Sequence, residues 1–422
     1  MGVRRMLFIM LVSALFMLFN SQNALVSCAL SSELQAKINA VNEDGPYIGL
    51  VIPNSFELDP LLNNSDYISS GYFIDVSGRR FHFGVIGQKP VILVITGLGM
   101  INAGITTQIL LSNFNIEGVV HYGIAGNANE EHHIGDVAIS HFWGHLGLWS
   151  WQRNGLGPQD KLPFEENGDY TRKYGYLRFA DYTTSNDSVI AENSSYDNLL
   201  NNIYYQPEEV FPIDGTPEQS KHVLWVRVDD TYYNTASRLK NMKLEKCINS
   251  TTCLSHKPKL KFVTNGASAS IFVDNAAYRS FIRETFSVTQ VDMESASVAL
   301  VCYQQRVPFI VIRALSNLAG GGSSEDSEEA ETFASLVLNN SVKVVVEFVK
   351  LLPASSLSSF KTKTSSIGRV RLSEDFADEL FEVQYARTRG EHFSFHKNLQ
   401  CNSDLQGTAW GGPARPLDAQ VR

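Results

Sequence analysis

The chain has 422 residues, of which 44% are hydrophobic and 11% aromatic. This composition supports one large core or two ordinary ones and excludes a chain that is disordered throughout. Thirty-five Lys and Arg side chains against 44 Asp and Glu give a formal net charge of −9. No concentrated basic face is visible in the sequence, so we expect no nucleic-acid partner.

Residues 1–29 have the pattern of a secretory signal peptide. Arg4 and Arg5 precede an apolar run from Met6 to Phe19, and small residues follow it. The alternative is a signal anchor, although the run covers only about two thirds of a bilayer span. We expect a mature chain that begins near Leu30, enters the secretory pathway and has no stable membrane insertion.

Passage into the secretory pathway gives meaning to five asparagines in Asn-x-Ser/Thr sequons, which are predicted glycosylation sites. They are Asn63, Asn186, Asn193, Asn249 and Asn339. Cys247 and Cys253 bracket the polar loop "CINSTTC" and are predicted to form a disulfide, with two free thiols as the alternative. Cys302 lies in an apolar helical run and is expected to be a core thiol.

Short β-branched runs that end in glycine begin at residue 47, among them "YIGLVI", "PVILVITGLG" and "GVVHYGIAG". Helical stretches separate them, such as "INAGITTQILLSNF", in which Ile101, Ile105, Ile109 and Phe114 recur on one predicted apolar face. This alternation predicts an α/β fold with a largely parallel central sheet. Ligands bind such sheets beyond the carboxyl ends of the strands.

Two segments interrupt this pattern. Residues 151–222 are rich in Asn, Asp, Tyr and Pro, and we predict a surface insertion there. The last regular helix ends at Pro353, and residues 353–422 begin with a Ser/Lys-rich stretch. We predict a tail outside the fold, disordered or weakly helical, and an artefact of the gene model is the alternative.

Three motifs stand at predicted strand ends. "VITGLGMINAG" opens a helix whose backbone N–H groups can hold an anion or a hydroxyl, but Asn102 replaces the third glycine of a dinucleotide motif. "QVDMES" delivers Met293 and Glu294, and a first-turn carboxylate that favours the helix dipole is the alternative for Glu294. "RALSNLAGGG" places Asn317. The histidines between residues 132 and 145 match no zinc spacing, so we expect no metal and no cofactor.

The succession "IGLVIPNSFELDPLL", "ITGLGMINAG", "HYGIAGNANEEHHIGDVAIS", "NGASASIFVDN", "VDMESASVA" and "RALSNLAGGG" resembles the nucleoside phosphorylase and nucleosidase superfamily. Within it, the chain is similar to the plant bark storage and vegetative storage proteins. The resemblance covers residues 45–352. It implies one three-layer α/β/α domain with a mixed, partly barrel-like sheet, assembled as a homo-oligomer. The family breaks the N-glycosidic bond of nucleosides with water or phosphate, so the implied partner is a nucleoside or a purine base.

The resemblance also implies roles for single residues. Met293 and Glu294 match the ribose contacts, and Phe272 matches the aromatic side chain that stacks on the base. Glu57 matches the carboxylate that activates water in the nucleosidases. Phosphorylases place arginines near the phosphate, whereas His121 stands at one of those positions. If the chain is active, the resemblance therefore implies a nucleosidase.

Two departures fall inside the nucleoside-binding motifs, which also contribute Gly99 and Gly123. Ile124 replaces a small hydroxyl residue, and Asn317 replaces the aspartic acid that protonates the leaving base. An amide donates a hydrogen bond but transfers no proton, and general acid catalysis contributes about 10²–10⁴-fold. The sequence therefore favours a storage-type protein whose pocket is largely retained and whose catalysis is weak or lost. The alternatives are an active nucleosidase and a nucleoside-binding protein without catalysis.

Overall fold

The structure is a computed structural model and describes residues 30–152, 176–177, 203–321 and 324–353, without the side chains of residues 176–177 and 324–327. The predicted signal peptide, the sequons at Asn186 and Asn193 and the predicted tail after residue 353 lie outside the described residues.

The described residues form fifteen strands and seven helices. The strands are β1 (Tyr47–Ile52), β2 (Tyr67–Val76), β3 (Arg79–Ile86), β4 (Lys89–Ile95), β5 (Ile116–Asn127), β6 (Val137–His145), β7 (Trp149–Trp151), β8 (Tyr176–Leu177), β9 (Ile203–Tyr205), β10 (Glu208–Val210), β11 (Lys221–Val223), β12 (Trp225–Arg227), β13 (Leu260–Ser268), β14 (Val288–Asp292) and β15 (Phe309–Leu318). The helices are α1 (Ser32–Asn42), α2 (Ser55–Leu62), α3 (Met100–Asn113), α4 (Asp230–Ser237), α5 (Ala276–Phe286), α6 (Ser295–Gln305) and α7 (Ser324–Leu351).

The central sheet is mixed and partly closed. Strands β5, β14, β13, β6 and β15 form a ring, because β15 pairs with both β5 and β6. From β5 the sheet continues outward through β1, β4, β3 and β2. Strand β5 is parallel to β1 and β15 but antiparallel to β14. The predicted α/β class and the mixed, partly barrel-like sheet are confirmed.

Hydrophobic side chains pack helices against the central sheet. Every residue of β1 is buried, as expected for a strand covered on both faces. Two clusters of buried side chains lie against the sheet, one including α7 and the other α3 and α6. Residues Glu328–Leu351 of α7 are long and apolar enough to cross a membrane, but 67% of the most apolar window is buried inside the fold. Helix α7 is therefore a core helix.

Two parts of the fold differ from the sequence interpretation. In α3, Ile101 is 76% exposed and Ile105 is also exposed, whereas Ala103 and Leu110 face the core. The predicted apolar face was therefore wrong at its start, where Met100 and Ala103 are the buried residues of α3. In the predicted surface insertion, strand β9 is fully buried and packs in the third core cluster. A strand of three residues is too short to show periodicity in the sequence.

Candidate active site

Helix α2 carries Glu57 into the interior. Asn54 caps the helix: its side-chain oxygen accepts from the Glu57 backbone N–H at 3.1 Å, and its amide donates to Glu57 Oε2 at 2.8 Å. The other carboxylate oxygen accepts from the backbone N–H of Ile124 at 2.8 Å. Glu57 is only 2% exposed, so its orientation is set by these bonds. The Ile124 side chain packs against the core, and its backbone supplies the polar contact.

Arg313, in the middle of β15, is the centre of the site. Its side chain is fully buried; Nε lies 2.8 Å from Asp292 Oδ2 and donates to Ser295 Oγ at 3.2 Å. Its Nη1 lies 3.5 Å from Glu57 Oε1, and its Nη2 lies 3.4 Å from Glu294 Oε2. The sequence analysis missed this residue. A single charged residue inside the apolar run "FIVIRALS" was the available signal, since arginine is almost never fully buried unless paired.

His121 completes this group of side chains. One ring nitrogen, Nδ1, is 2.8 Å from the Val51 carbonyl oxygen, and Nε2 is 2.5 Å from Arg313 Nη2. Because a guanidinium can only donate, Nε2 must accept, and the ring proton sits on Nδ1. Burial, and then the charge of Arg313, lowers the pKa of His121, so the ring is neutral. We call Arg313 with Glu57, His121, Asp292 and Glu294 the Arg313 cluster.

The turn between β14 and α6 orients the second half of the cluster. Asp292 Oδ1 accepts from the backbone N–H groups of Glu294 at 3.2 Å and Ser295 at 3.1 Å. Glu294 Oε1 accepts from the backbone N–H of Gly99 at 2.9 Å. Gly99 precedes α3 with φ 94°, a conformation that favours glycine. The turn therefore brings the motifs that contain Gly99 and Glu294 into direct contact, with Met293 half-buried between Asp292 and Glu294.

Gly123 is required because nothing larger fits beside the cluster. A Cβ atom at this position would lie 2.1 Å from Glu57 Oε1 and 2.4 Å from Arg313 Nη1. Backbone and carboxylate can approach this closely only when the side chain is absent.

Burial dominates the electrostatics of the carboxylates. It raises the pKa of Glu57 to about 8, although the charge of Arg313 acts in the opposite direction. Burial also raises the pKa of Glu294, again against the lowering effect of Arg313. Burial acts to lower the pKa of Arg313, but Asp292, Glu57 and Glu294 raise it further, so the guanidinium stays charged. Below pH 8 Glu57 is mainly protonated and is a poor base.

Donor atoms of His121, Asp292 and Glu294 lie within 4.8 Å of one another, the separation that a metal site needs. The guanidinium of Arg313 contacts all three side chains. Its positive charge therefore already balances the carboxylates there, and we assign no metal to these residues.

Asn317 and Phe272, which we call the base-side residues, lie in more open surroundings. Asn317 is half-buried near the end of β15, next to a bulge, and pairs with Gly126. Its Oδ1 accepts from Ser316 Oγ at 2.8 Å, and its Nδ2 is 3.3 Å from the Leu318 carbonyl oxygen. Phe272 is 71% exposed in the loop between β13 and α5. Among the described residues, no hydrogen bond joins either side chain to the Arg313 cluster.

The predicted modification sites are distributed over the surface. Cys247 and Cys253 form a disulfide with a Cα–Cα distance of 3.9 Å, and Cys302 is a buried free thiol. Asn63, Asn249 and Asn339 are exposed. Glycosylation at these asparagines stays a prediction.

Comparison with known proteins shows the family to which the chain belongs. The model of the Phosphorylase superfamily matches residues 47–164 and 183–350. Bark storage protein A of Populus deltoides is 31% identical over 287 residues, which are 68% of this chain and 81% of that protein. A 5'-methylthioadenosine/S-adenosylhomocysteine nucleosidase of Staphylococcus epidermidis is 24% identical over 65% of this chain and 89% of that protein.

Among solved structures, the chain is similar to the 5'-methylthioadenosine/S-adenosylhomocysteine nucleosidase of Helicobacter pylori with butyl-thio-DADMe-Immucillin-A. The two share 19% sequence identity and a TM-score of 0.47, over 72% of this chain and 98% of that protein.

Proposed function

Since this chain belongs to the Phosphorylase superfamily, we propose that it is a bark-storage-type protein whose pocket binds a purine nucleoside and whose cleavage of the N-glycosidic bond is weak or lost. The observation that carries the proposal is the amide of Asn317 at the end of β15, beside an intact Arg313 cluster. In this proposal the residues that bind the ribose are retained, whereas the residue that would protonate the leaving base is replaced.

The Arg313 cluster supports ribose binding. Glu294 has one oxygen on the Gly99 backbone N–H and the other near Arg313, so its carboxylate is held in a fixed position for sugar hydroxyls. Carboxylates are good acceptors for a pair of hydroxyl groups, and a fixed orientation lowers the entropy lost on binding. We place the ribose at Glu294 and Met293.

Two features oppose turnover. The amide of Asn317 has no proton to transfer to a leaving purine, which removes a contribution of about 10²–10⁴-fold. Burial raises the pKa of Glu57 to about 8, so this carboxyl group is mainly protonated at the acidic pH of a vacuole or apoplast and does not activate water. Either feature slows hydrolysis, and together they favour binding over catalysis.

A working nucleosidase is the second candidate. The observation that favours it is the retention of the Arg313 cluster, because three carboxylates around a buried guanidinium are costly to desolvate and add little to stability. In this case Glu57 activates water above pH 8, and the base leaves with a hydrogen bond from Asn317 in place of a proton. Relatives named as nucleosidases are compatible with this candidate.

Two measurements test the proposal. Calorimetry with adenine should detect binding to the unsubstituted protein, since adenine probes the base side without being consumed. Release of free base from adenosine, inosine and 5'-methylthioadenosine, with and without phosphate, should be slow or absent in the unsubstituted protein. It should rise by about 10²-fold or more in Asn317→Asp, where a proton donor returns.

Controls separate the candidates. Fast, phosphate-independent release that disappears in Glu57→Gln would establish the nucleosidase and overturn the proposal of lost catalysis. Absence of adenine binding would overturn the proposed pocket and leave only the storage role. That role, the passage through the secretory pathway to vacuole or apoplast, and the homo-oligomer are proposals that rest on the family and on the predicted signal peptide.

A further inference from the structure

Arg279 connects helix α5 with two loops outside the Arg313 cluster. It lies one turn into α5, a helix whose N-terminus Asn275 caps by accepting from the Tyr278 backbone N–H at 2.8 Å. The Arg279 side chain is only 8% exposed. A buried arginine needs partners for its donors, and the partners of Arg279 are two backbone carbonyls and one carboxylate.

Both carbonyls belong to the loop that follows Asn317. Arg279 Nη1 donates to the Ala319 carbonyl oxygen at 2.8 Å and to the Gly321 carbonyl oxygen at 2.9 Å. Nη2 donates to Glu130 Oε1 at 2.9 Å, across to the loop between β5 and β6. One guanidinium therefore fixes the chain two and four residues beyond Asn317.

The loop is also pressed against the start of α5. A Cβ atom on Gly320, where φ is 80°, would lie 2.3 Å from the backbone carbon of Asn275. Only glycine permits this approach, which brings the two carbonyls within reach of Arg279. The loop's own hydrogen bonds, Ala319 N–H to Asn127 and Gly321 N–H to Leu318, leave the two carbonyls free to accept from Arg279.

Asn317 has little else to orient it. Among the described residues its side chain bonds with Ser316 and Leu318, which move with the same backbone. The direction of its amide is therefore set by the backbone on either side: the pairing with Gly126 in β5 and the loop beyond Leu318.

We propose that Arg279 is a positioning residue for purine recognition, because it clamps the loop of residues 318–321 and thereby orients the Asn317 amide toward the base. This inference rests on the proposed nucleoside pocket and names the part of it that determines affinity for the purine. Glu130 is mostly exposed, so its ion pair with Arg279 contributes little to the clamp.

The first test measures adenine affinity by calorimetry in the full chain. Arg279→Ala should lower adenine affinity by about threefold to fivefold, less than removal of the Asn317 amide itself, since it removes two hydrogen bonds from a charged donor and only part of that energy reaches the ligand. The adenine affinity of Arg279→Lys should lie between those of the unsubstituted protein and Arg279→Ala, because the lysine ammonium is a point charge and cannot reach both carbonyls as the arginine fork does. Arg283→Ala is the matched control: Arg283 lies on the same helix one turn later and contacts Thr289, so adenine affinity should not change.

A double-mutant cycle shows whether Arg279 acts through Asn317. In an Asn317→Ala background, Arg279→Ala should have almost no further effect on adenine affinity, whereas a general structural role would add its full effect. Hydrogen exchange supplies a readout that needs no ligand: the backbone amides of Ala319 and Gly321 should exchange faster in Arg279→Ala and not in Arg283→Ala.

The outcomes are distinct. Wild-type adenine affinity in Arg279→Ala, or full additivity in the cycle, would overturn the inference while the nucleoside pocket stands. If the unsubstituted protein binds no adenine, the proposed pocket fails, and with it the role of Arg279 in purine affinity. Faster loop exchange with reduced, non-additive adenine binding would establish Arg279 as a positioning residue.

Discussion

Arg313 and Asn317 lie on the same strand, β15, but the Arg313 cluster and the base-side residues are built in opposite ways. Arg313 and Glu57 are almost fully buried, and the polar atoms of Glu57 and Glu294 have backbone or side-chain partners. Asn317 is half-buried and, within the part of the chain that the structure describes, its side chain bonds with its sequence neighbours alone, and Phe272 is mostly exposed. Substitution at Asn317 therefore costs the fold little, whereas substitution within the cluster disrupts many contacts. This difference is compatible with the proposed function, in which an amide stands at the position of the acid and the rest of the pocket is retained.

Removal of Arg313 should produce the largest effect. Arg313→Ala leaves Asp292 and Glu294 buried without their counter-charge and Glu57 without a neighbour at 3.5 Å, and breaking a buried ion pair costs about 3–5 kcal/mol. We expect that loss in the free energy of unfolding by urea, or failure to fold. The control is Arg306→Ala, which removes a partly exposed pair with Asp214 and should cost less than about 1 kcal/mol. Equal losses in the two variants would contradict the asymmetry between cluster and surface.

The pH dependence of the free energy of unfolding should show that burial holds Glu57 protonated. Its folded pKa of about 8 lies above the ordinary value of 4.5, so the folded state holds this proton more tightly than the unfolded state. Its contribution to stability is therefore fully present below pH 4.5 and is lost as the pH rises to 8, by about 1.4 kcal/mol per pH unit at most. Glu57→Gln should remove this slope.

Urea unfolding of both proteins at pH 5, 6, 7 and 8 measures the difference. Other titrating groups are common to the two proteins and cancel. An identical pH slope in the unsubstituted protein and in Glu57→Gln would show that Glu57 is not held protonated by burial.

Gly123→Ala tests how tightly the cluster is packed. The added methyl group would overlap Glu57 Oε1 and Arg313 Nη1, and overpacking of this kind costs about 1–3 kcal/mol. Because the Glu57 carboxylate must move, the pH slope assigned to it should also change. Gly78→Ala, at a positive φ of 75° with no atom within 4 Å, should lower stability through backbone strain alone and leave the pH slope unchanged. A Gly123→Ala protein with the original slope would contradict the packing argument.

Some site residues could be predicted from the local sequence pattern, and others could not because their partners lie in distant elements. Glu57, Glu294 and the glycines lie at strand ends and helix starts, where local pattern identifies them. Arg313 was missed because its role depends on β15 closing the ring between β5 and β6, which no short-range pattern encodes. The roles of Asp292 and Arg279 were missed for the same reason: their partners are backbone groups and side chains from other elements. The α/β class followed from alternating runs, but closure of the sheet came from the resemblance.

Asn317→Ala should have the smallest effect on the fold and a clear effect on the ligand. Ser316 Oγ keeps a bond to the Ala125 carbonyl oxygen at 3.2 Å, so loss of the amide leaves no buried group unpaired. The free energy of unfolding should therefore change by less than about 0.5 kcal/mol. Adenine affinity should fall by about fivefold to tenfold, the value of one net hydrogen bond. Calorimetry and urea unfolding on the same preparation check both values, and a loss of stability above 1 kcal/mol would show that the base side is as interlocked as the Arg313 cluster.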